Sequence, residues 1–266
     1  MSTDPLDDVA IAREASSQDI AMLVHEKDEA VLLALLENPH FDESHIRILL
    51  DRLDVSERVL GGIALQTKWL ASEAVRFGLA VHPHSPRQVA MTMVRQLFAF
   101  DLVRLALATT AQAEVRRLAE EVLISKIPQL PMGQKLTLAK RGPARVVGAI
   151  LNEGQAQAVA AALTNPLLTE AQILKSLARS ETSERVVSAI ARHPRWSSSY
   201  NTRMALIRNR HTPLNIVLAF LPNITMRDLK EIATLESLTP NLKMYIRREV
   251  ARRGNAKDPA AKRGQM

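Results

Sequence analysis

Four times the chain sets Asn or His directly before proline: Asn38-Pro39, His82-Pro83, Asn165-Pro166 and His193-Pro194. Proline has no N–H to donate and its ring clashes with the preceding turn, while the residue before it is pushed out of the α region. Each pair therefore predicts a helix end. A polar residue able to accept a hydrogen bond from an orphan N–H then restarts the chain: Asp42, Ser85, Thr169, Thr212, Thr225 and Thr239. Ser85-Pro86, Thr212-Pro213 and Thr239-Pro240 add proline where a helix begins and tolerates it. The unit reads as helix, Asn/His-Pro turn, capped helix, with tight turns keeping neighbours antiparallel.

The stretches between these stops carry helical stripes. Val31, Leu32, Leu35 and Leu36 form one; Ile46, Leu49, Leu50 and Leu53 the next; Val186, Val187, Ile190 and Ala191 another; Leu214, Val217, Leu218 and Leu221 a fourth. Strand signals are nearly missing: aromatics are 3% of residues and alternating runs are absent. The expected fold class is all-α, a right-handed α-solenoid of stacked antiparallel hairpins without a β-sheet, because one hairpin cannot bury its own stripe and a stack can. Pro39, Pro83, Pro128 and Pro166 are 44, 45 and 38 residues apart, near the ~40–47 of a two-helix HEAT repeat. Pro166, Pro194, Pro213 and Pro240 lie closer, at 28, 19 and 27 residues, which predicts shorter helices in the rear. The expected divisions are an acidic segment with a first helix (1–27), front hairpins (28–141), basic rear hairpins (142–253) and a disordered basic tail (254–266).

The segments ALTNPLLTEAQILKSLAR, VVSAIARHPRWSSSYNTRMALIRNRHTPL and VLAFLPNITMRDLKEIATLESLTPNLKMYIRREVARR resemble bacterial HEAT-like and leucine-rich-repeat-variant proteins. The likeness covers residues ~155–253 in detail and 28–140 by period and punctuation, with Gly61-Gly62 departing from the pattern. It implies an α-solenoid and carries over no catalytic residue, because the shared motif consists of turn and core positions.

Chemistry is scarce. With no cysteine there are no disulfides, thiolate metal sites or cysteine nucleophiles, which suits a reducing compartment. The polar, acidic Met1-Ser2-Thr3-Asp4-Pro5 does not read as a secretory signal, and apolar runs such as Ala158 to Leu163 are far short of the ~20 residues of a membrane span. A cytoplasmic protein with no membrane contact is expected. The seven histidines show no HExxH or ligand spacing, and His40, His82, His193 and His211 sit at proline turns, where they read as helix-end caps. Neither GxxxxGK[ST], GxGxxG nor GxSxG occurs; KRGPARVVG reads as a helix start at Pro143. No catalytic residue, metal ligand or cofactor site is assigned.

Charge is distributed unevenly. Residues 1–60 carry 14 acids and 5 bases, whereas residues 184–253 carry 5 acids and 13 bases, in a chain of net charge +7. Within the basic rear, RHPRWSSSYNTRMALIRNRHTP holds Arg192, Arg195, Trp196, Tyr200, Arg203, Arg208, Arg210 and His211, and no acid lies between Glu184 and Asp228. Basic residues interleaved with two of the chain's four Trp and Tyr residues form a candidate edge for phosphate contact and base stacking, or for an acidic protein. The competing reading is structural: Trp196 and Tyr200 filling gaps between short helices, with arginine stems covering apolar surface. In the last helix, Leu242, Tyr245, Ile246 and Val250 face inward and Lys243, Arg247, Arg248, Arg252 and Arg253 outward. Three functions follow: a non-enzymatic scaffold for a protein partner, a nucleic-acid binder using backbone phosphates, and, remotely, an enzyme like the HEAT-like DNA glycosylases. That last reading has Trp69, Trp196 and Asp101 or Asp228 available to it, without a matching local motif.

Overall fold

The computed structural model describes residues 5–256 apart from 237, and among them every regular element is helical. The chain divides into two compact units, the first ending at Lys126 and the second beginning at Ile127. The sequence grouping placed its division at 141/142. The contacts place it earlier because the helix over 132–141 packs on the two that follow it.

The first unit comprises α1 (Pro5–Glu14), α2 (Ser17–Leu23), α3 (Glu29–Leu35), α4 (Glu43–Asp51), α5 (Glu57–Leu65), α6 (Glu73–Val81), α7 (Arg87–Gln96), α8 (Ala99–Leu107) and α9 (Ala113–Lys126). The second comprises α10 (Met132–Arg141), α11 (Ala144–Asn152), α12 (Ala156–Leu163), α13 (Glu170–Leu177), α14 (Glu184–Arg192), the single turn α15 (Pro194–Ser197), α16 (Tyr200–Arg208), α17 (Leu214–Phe220), α18 (Met226–Thr234) and α19 (Pro240–Ala256). Short helices occupy both units, so the expected contrast between a long-helix front and a short-helix rear is not found. Helices of two or three turns are marginal alone and depend on burying one face. Alternate helices supply that burial for each other: α4 packs on α6 and α6 on α8, α10 on α12 and α12 on α14, α11 on α13 and α13 on α16.

The caps follow the sequence with instructive exceptions. Asp42, Thr169, Thr225 and Thr239 accept N–H bonds from the first turns they precede. Thr212 instead donates its hydroxyl to the Leu206 carbonyl, and the Ser85 hydroxyl is buried and caps nothing. Their helices open on Pro86 and Pro213 in extended conformation, so proline sets the entry angle and the hydroxyl is free for other use. Leu53 falls beyond the end of α4 and is exposed, and Leu214 at the start of α17 is also exposed; the other residues of those two stripes are buried or half-buried.

The Asn/His-Pro stops do more than end helices. Asn38 is buried; its amide N–H2 donates to the carbonyls of Ala12 (2.9 Å) and Ala15 (3.0 Å), while its side-chain oxygen accepts from the His40 N–H. Asn165 repeats this geometry on Ala139, Gly142 and the Leu167 N–H, and Asn209 on Leu177 and the His211 N–H. In the first unit His82 substitutes for asparagine: Nδ1 accepts from the His84 N–H, so Nε2 carries the proton and donates to the Arg52 carbonyl at 2.7 Å. Each side chain thus fixes its own turn and ties it to the preceding hairpin.

These ties correct the period. Bonds between neighbouring hairpins cluster near 29 residues: Arg52 to the Val24 carbonyl, Gln112 to Pro83, Lys126 to Leu97 and Arg253 to Ile224 span 28 or 29, while Asn165 to Ala139 spans 26 and Asn209 to Leu177 spans 32. The 44-residue step from Pro39 to Pro83 is one and a half such units, because Asn38 follows α3 whereas His82 follows α6, which belongs to the other set of alternate helices. One stop motif serves both helix positions, and counting prolines merges them.

Candidate binding surfaces

The eight residues picked out by the sequence do not form one stripe. Arg192, at the end of α14, points to solvent beside a shallow depression between α12 and α14. Arg195 turns the other way, and its guanidinium donates to the carbonyls of Asn165 and Leu168, both at 3.1 Å, while lying 4.2 Å over the Trp196 ring. Trp196 is buried and its indole N–H donates to the Leu163 carbonyl at 2.9 Å. Pro194 opens α15, so the His193 ring cannot bind its own turn as His82 does, and its Nδ1 is buried without a partner. Arg195 and Trp196 take over the tie to the preceding hairpin.

Tyr200 donates its hydroxyl to the Asp228 carboxylate and accepts from the Thr225 N–H at the start of α18. The Tyr200 hydroxyl first, and next the Thr225 hydroxyl, which donates to the same carboxylate at 2.8 Å, hold the Asp228 carboxyl below its ordinary value. Arg203 donates to the Ser197 carbonyl at 2.6 Å and stacks against Phe220. Arg208 pairs with Glu231 at 3.0 Å, whereas Arg210 donates to the Ser180 carbonyl and to His211. Arg208, Arg210 and His211 share a depression of about 400 Å³ with the end of α13. Base stacking is unsupported by this placement: Trp196 is inside and the Tyr200 hydroxyl is committed to Asp228 and Thr225.

Other cations join Arg192 and the outward-facing Arg247 and Arg248, and of these Lys140, Arg141 and Arg185 are absent from the sequence-based reading. The second unit as a whole carries 22 Lys and Arg against 9 Asp and Glu. On α10, α14 and α19 the side chains of Lys140, Arg141, Arg185, Arg192, Arg247 and Arg248 are exposed, and none makes an ion pair among the described residues. Between α10 and α14 lies α12, whose exposed residues Ala156, Gln157 and Ala160 are uncharged. The depression between α12 and α14 measures about 590 Å³ and is floored by Ala156, Ala160, Ser188 and Ala189, with Arg185 and Arg192 on one rim. The i, i+4 spacing of Ala156 and Ala160 is written in the sequence, but alanine at that spacing does not distinguish an exposed face from a buried one.

Arg253, expected to point outward, instead reaches back to the carbonyls of Leu221 and Ile224 and pairs with Glu249 at 2.7 Å. Hydrogen bonds from Arg252, and then Arg253, bring the Glu249 carboxyl down to about 2. Helix α19 runs on through Gly254 to Ala256, three residues into the expected disordered tail; the remainder of that tail lies outside the described residues.

In the first unit, Glu73 and Asp101 meet in a depression of about 480 Å³ that also holds Arg47, Phe77 and Arg104. The hydrogen bond between the two carboxyls raises Glu73 above its ordinary value, with desolvation and the Asp101 charge adding to it. Asp101 is already paired with Arg104 at 2.8 Å, and Trp69 donates its indole N–H to Gln66 under the Lys68 ammonium. Among the described residues no group of three His, Asp or Glu side chains is placed to hold a metal ion, and no helix is long and apolar enough to cross a membrane.

The fold class these observations define is all-α, built from short paired helices. No protein-family model, no curated protein and no solved structure matches the chain.

Proposed function

We propose that the chain is a non-catalytic interaction scaffold, a HEAT-like α-solenoid whose second unit binds an acidic macromolecule, a protein rather than a nucleic acid. The observation that carries this reading is the set of exposed, unpaired cations on α10, α14 and α19. Ion pairs within the chain occupy several other arginines, so this group is among the positive charges free to meet a partner. The right-handed solenoid and the kinship with HEAT-like and leucine-rich-repeat-variant proteins belong to the same proposal, supported by hairpin ties that cluster near 29 residues. The protein partner is favoured because the floor between the cations is apolar alanine, surface that a phosphate backbone leaves uncovered. A cytoplasmic location fits the lack of cysteine.

The test is a titration of labelled poly-glutamate and of labelled duplex DNA at low and near-physiological salt. Poly-glutamate binding that survives the higher salt and is lost in Arg185→Glu/Arg192→Glu supports the scaffold. Tighter DNA binding with a steep salt dependence favours the phosphate-binding alternative, and binding of neither rejects both.

A further inference from the structure

We infer that the depression between α12 and α14 is the seat of an acidic amphipathic helix presented by a partner protein, an inference that rests on the scaffold reading above. Three features of the surface converge on this occupant. The floor is small: Ala156 and Ala160 are one helical turn apart on α12, facing Ser188 and Ala189 on α14. Side chains of this size let a third helix approach to the short end of the 8–10 Å range of helix packing distances.

Positive charge flanks that floor. Arg185 and Arg192 are seven residues apart on α14, hence on one face and ~10.5 Å apart along its axis, the same separation as carboxylates at i and i+7 on a docked helix. On the far side of α12, α10 ends in Lys140 and Arg141, which are exposed and unpaired among the described residues. A helix seated between α12 and α14 thus meets a cation toward each end of the α14 wall and small uncharged side chains between them, with the α10 cations farther off on the other side of α12.

The last feature is polarity. Glu184, exposed at the opposite end of α14 from Arg192, is the one acid lining the depression. It favours a basic residue at that end of the bound helix, so the occupant's charge runs from mixed to acidic along its length. An extended acidic chain or a phosphate backbone offers no apolar face to the alanines and gains nothing from the floor.

The experiment uses the full chain and a labelled synthetic peptide about five turns long. It carries an Ala/Leu stripe at i, i+3, i+4, i+7, glutamates on both flanks and a lysine at one end. A scrambled peptide of the same composition and poly-glutamate serve as comparisons. The patterned peptide should bind about tenfold more tightly than the scrambled one. Ala160→Arg, which adds positive charge but fills the floor, should abolish that preference while leaving poly-glutamate binding intact; Ser188→Arg repeats the test at a second floor position. Circular dichroism melting of each variant shows that the fold is kept.

Equal binding of patterned and scrambled peptides, or indifference to both floor variants, overturns the helix seat while the acidic-partner reading stands. Displacement of the peptide by duplex DNA at equal concentration overturns it in favour of a phosphate backbone. Self-association of the chain that blocks the peptide and is lost in Arg192→Glu overturns it in favour of a second copy. Loss of both peptide and poly-glutamate binding removes the underlying reading as well.

Discussion

Asn38 and Asn165 each place one primary amide where three backbone groups converge, two carbonyls and an N–H, and Asn209 places one where a carbonyl and an N–H meet. A hydrogen bond of this kind is worth only ~1 kcal/mol net, but stranding its partners in the interior costs ~1–3 kcal/mol. Asn165→Ala should therefore lower stability by about 3 kcal/mol, read as a drop in urea midpoint at unchanged slope. His82 performs the same task with a titratable ring. Burial holds it below its ordinary value, with the Arg52 carbonyl opposing and His84 adding to the depression. The unfolded chain consequently binds a proton more readily than the folded one, so stability present above about pH 6.5 is lost as the pH falls below it. Protonation would also turn Nδ1 from acceptor to donor against the His84 N–H. Urea unfolding at pH 7.5 and 5.5 should show a smaller loss in His82→Asn than in the native chain, since asparagine meets the same geometry without titrating; equal losses would place the pH sensitivity elsewhere, with the half-buried His193 next in line.

At the level of elements, ties made by long side chains decide which helices are held. Arg203→Glu removes a bond to the Ser197 carbonyl and a contact with Phe220, so the variant should melt lower, whereas reversal at exposed Arg192 should leave melting unchanged. Arg253→Ala frees the end of α19 from Leu221 and Ile224; amide exchange over residues 240–254 should then quicken while that of α12 and α14 stays as it was. How much of this the sequence disclosed follows from its range. Helix starts and stops are written in single residues, so Asp42, Thr169, Thr225, Thr239 and the Asn/His-Pro pairs could be found directly. A partner some 29 residues away leaves no local mark, which hid a step of about that length behind a 44-residue proline spacing. The same blindness made Arg195, Trp196 and Arg203 resemble a binding edge: a guanidinium on a backbone carbonyl and one waiting for a phosphate have identical sequence neighbours.

Over the whole chain, the residues of the first unit carry 19 acids and 13 bases and those of the second 9 acids and 22 bases. Attraction of an acidic partner to the second set is long-ranged, and at 0.15 M salt it is screened beyond about 8 Å. Association rates with poly-glutamate should thus fall steeply between low and physiological salt, while the dissociation rate of the patterned peptide, governed by the alanine floor, should change little; stopped-flow measurements separate the two. A surface that merely repels like charge would show neither rate dependence.

The ties through Asn38, Asn165 and Asn209 all run backward, from a turn to the hairpin made before it. During synthesis, then, the carbonyls that these three side chains bind stay unclaimed until the next turn has emerged, so those earlier segments are completed by residues made after them. The same direction governs how such a gene can lengthen: a copied segment inherits both a bond to offer and carbonyls to receive one, provided the copy is a whole number of hairpins long.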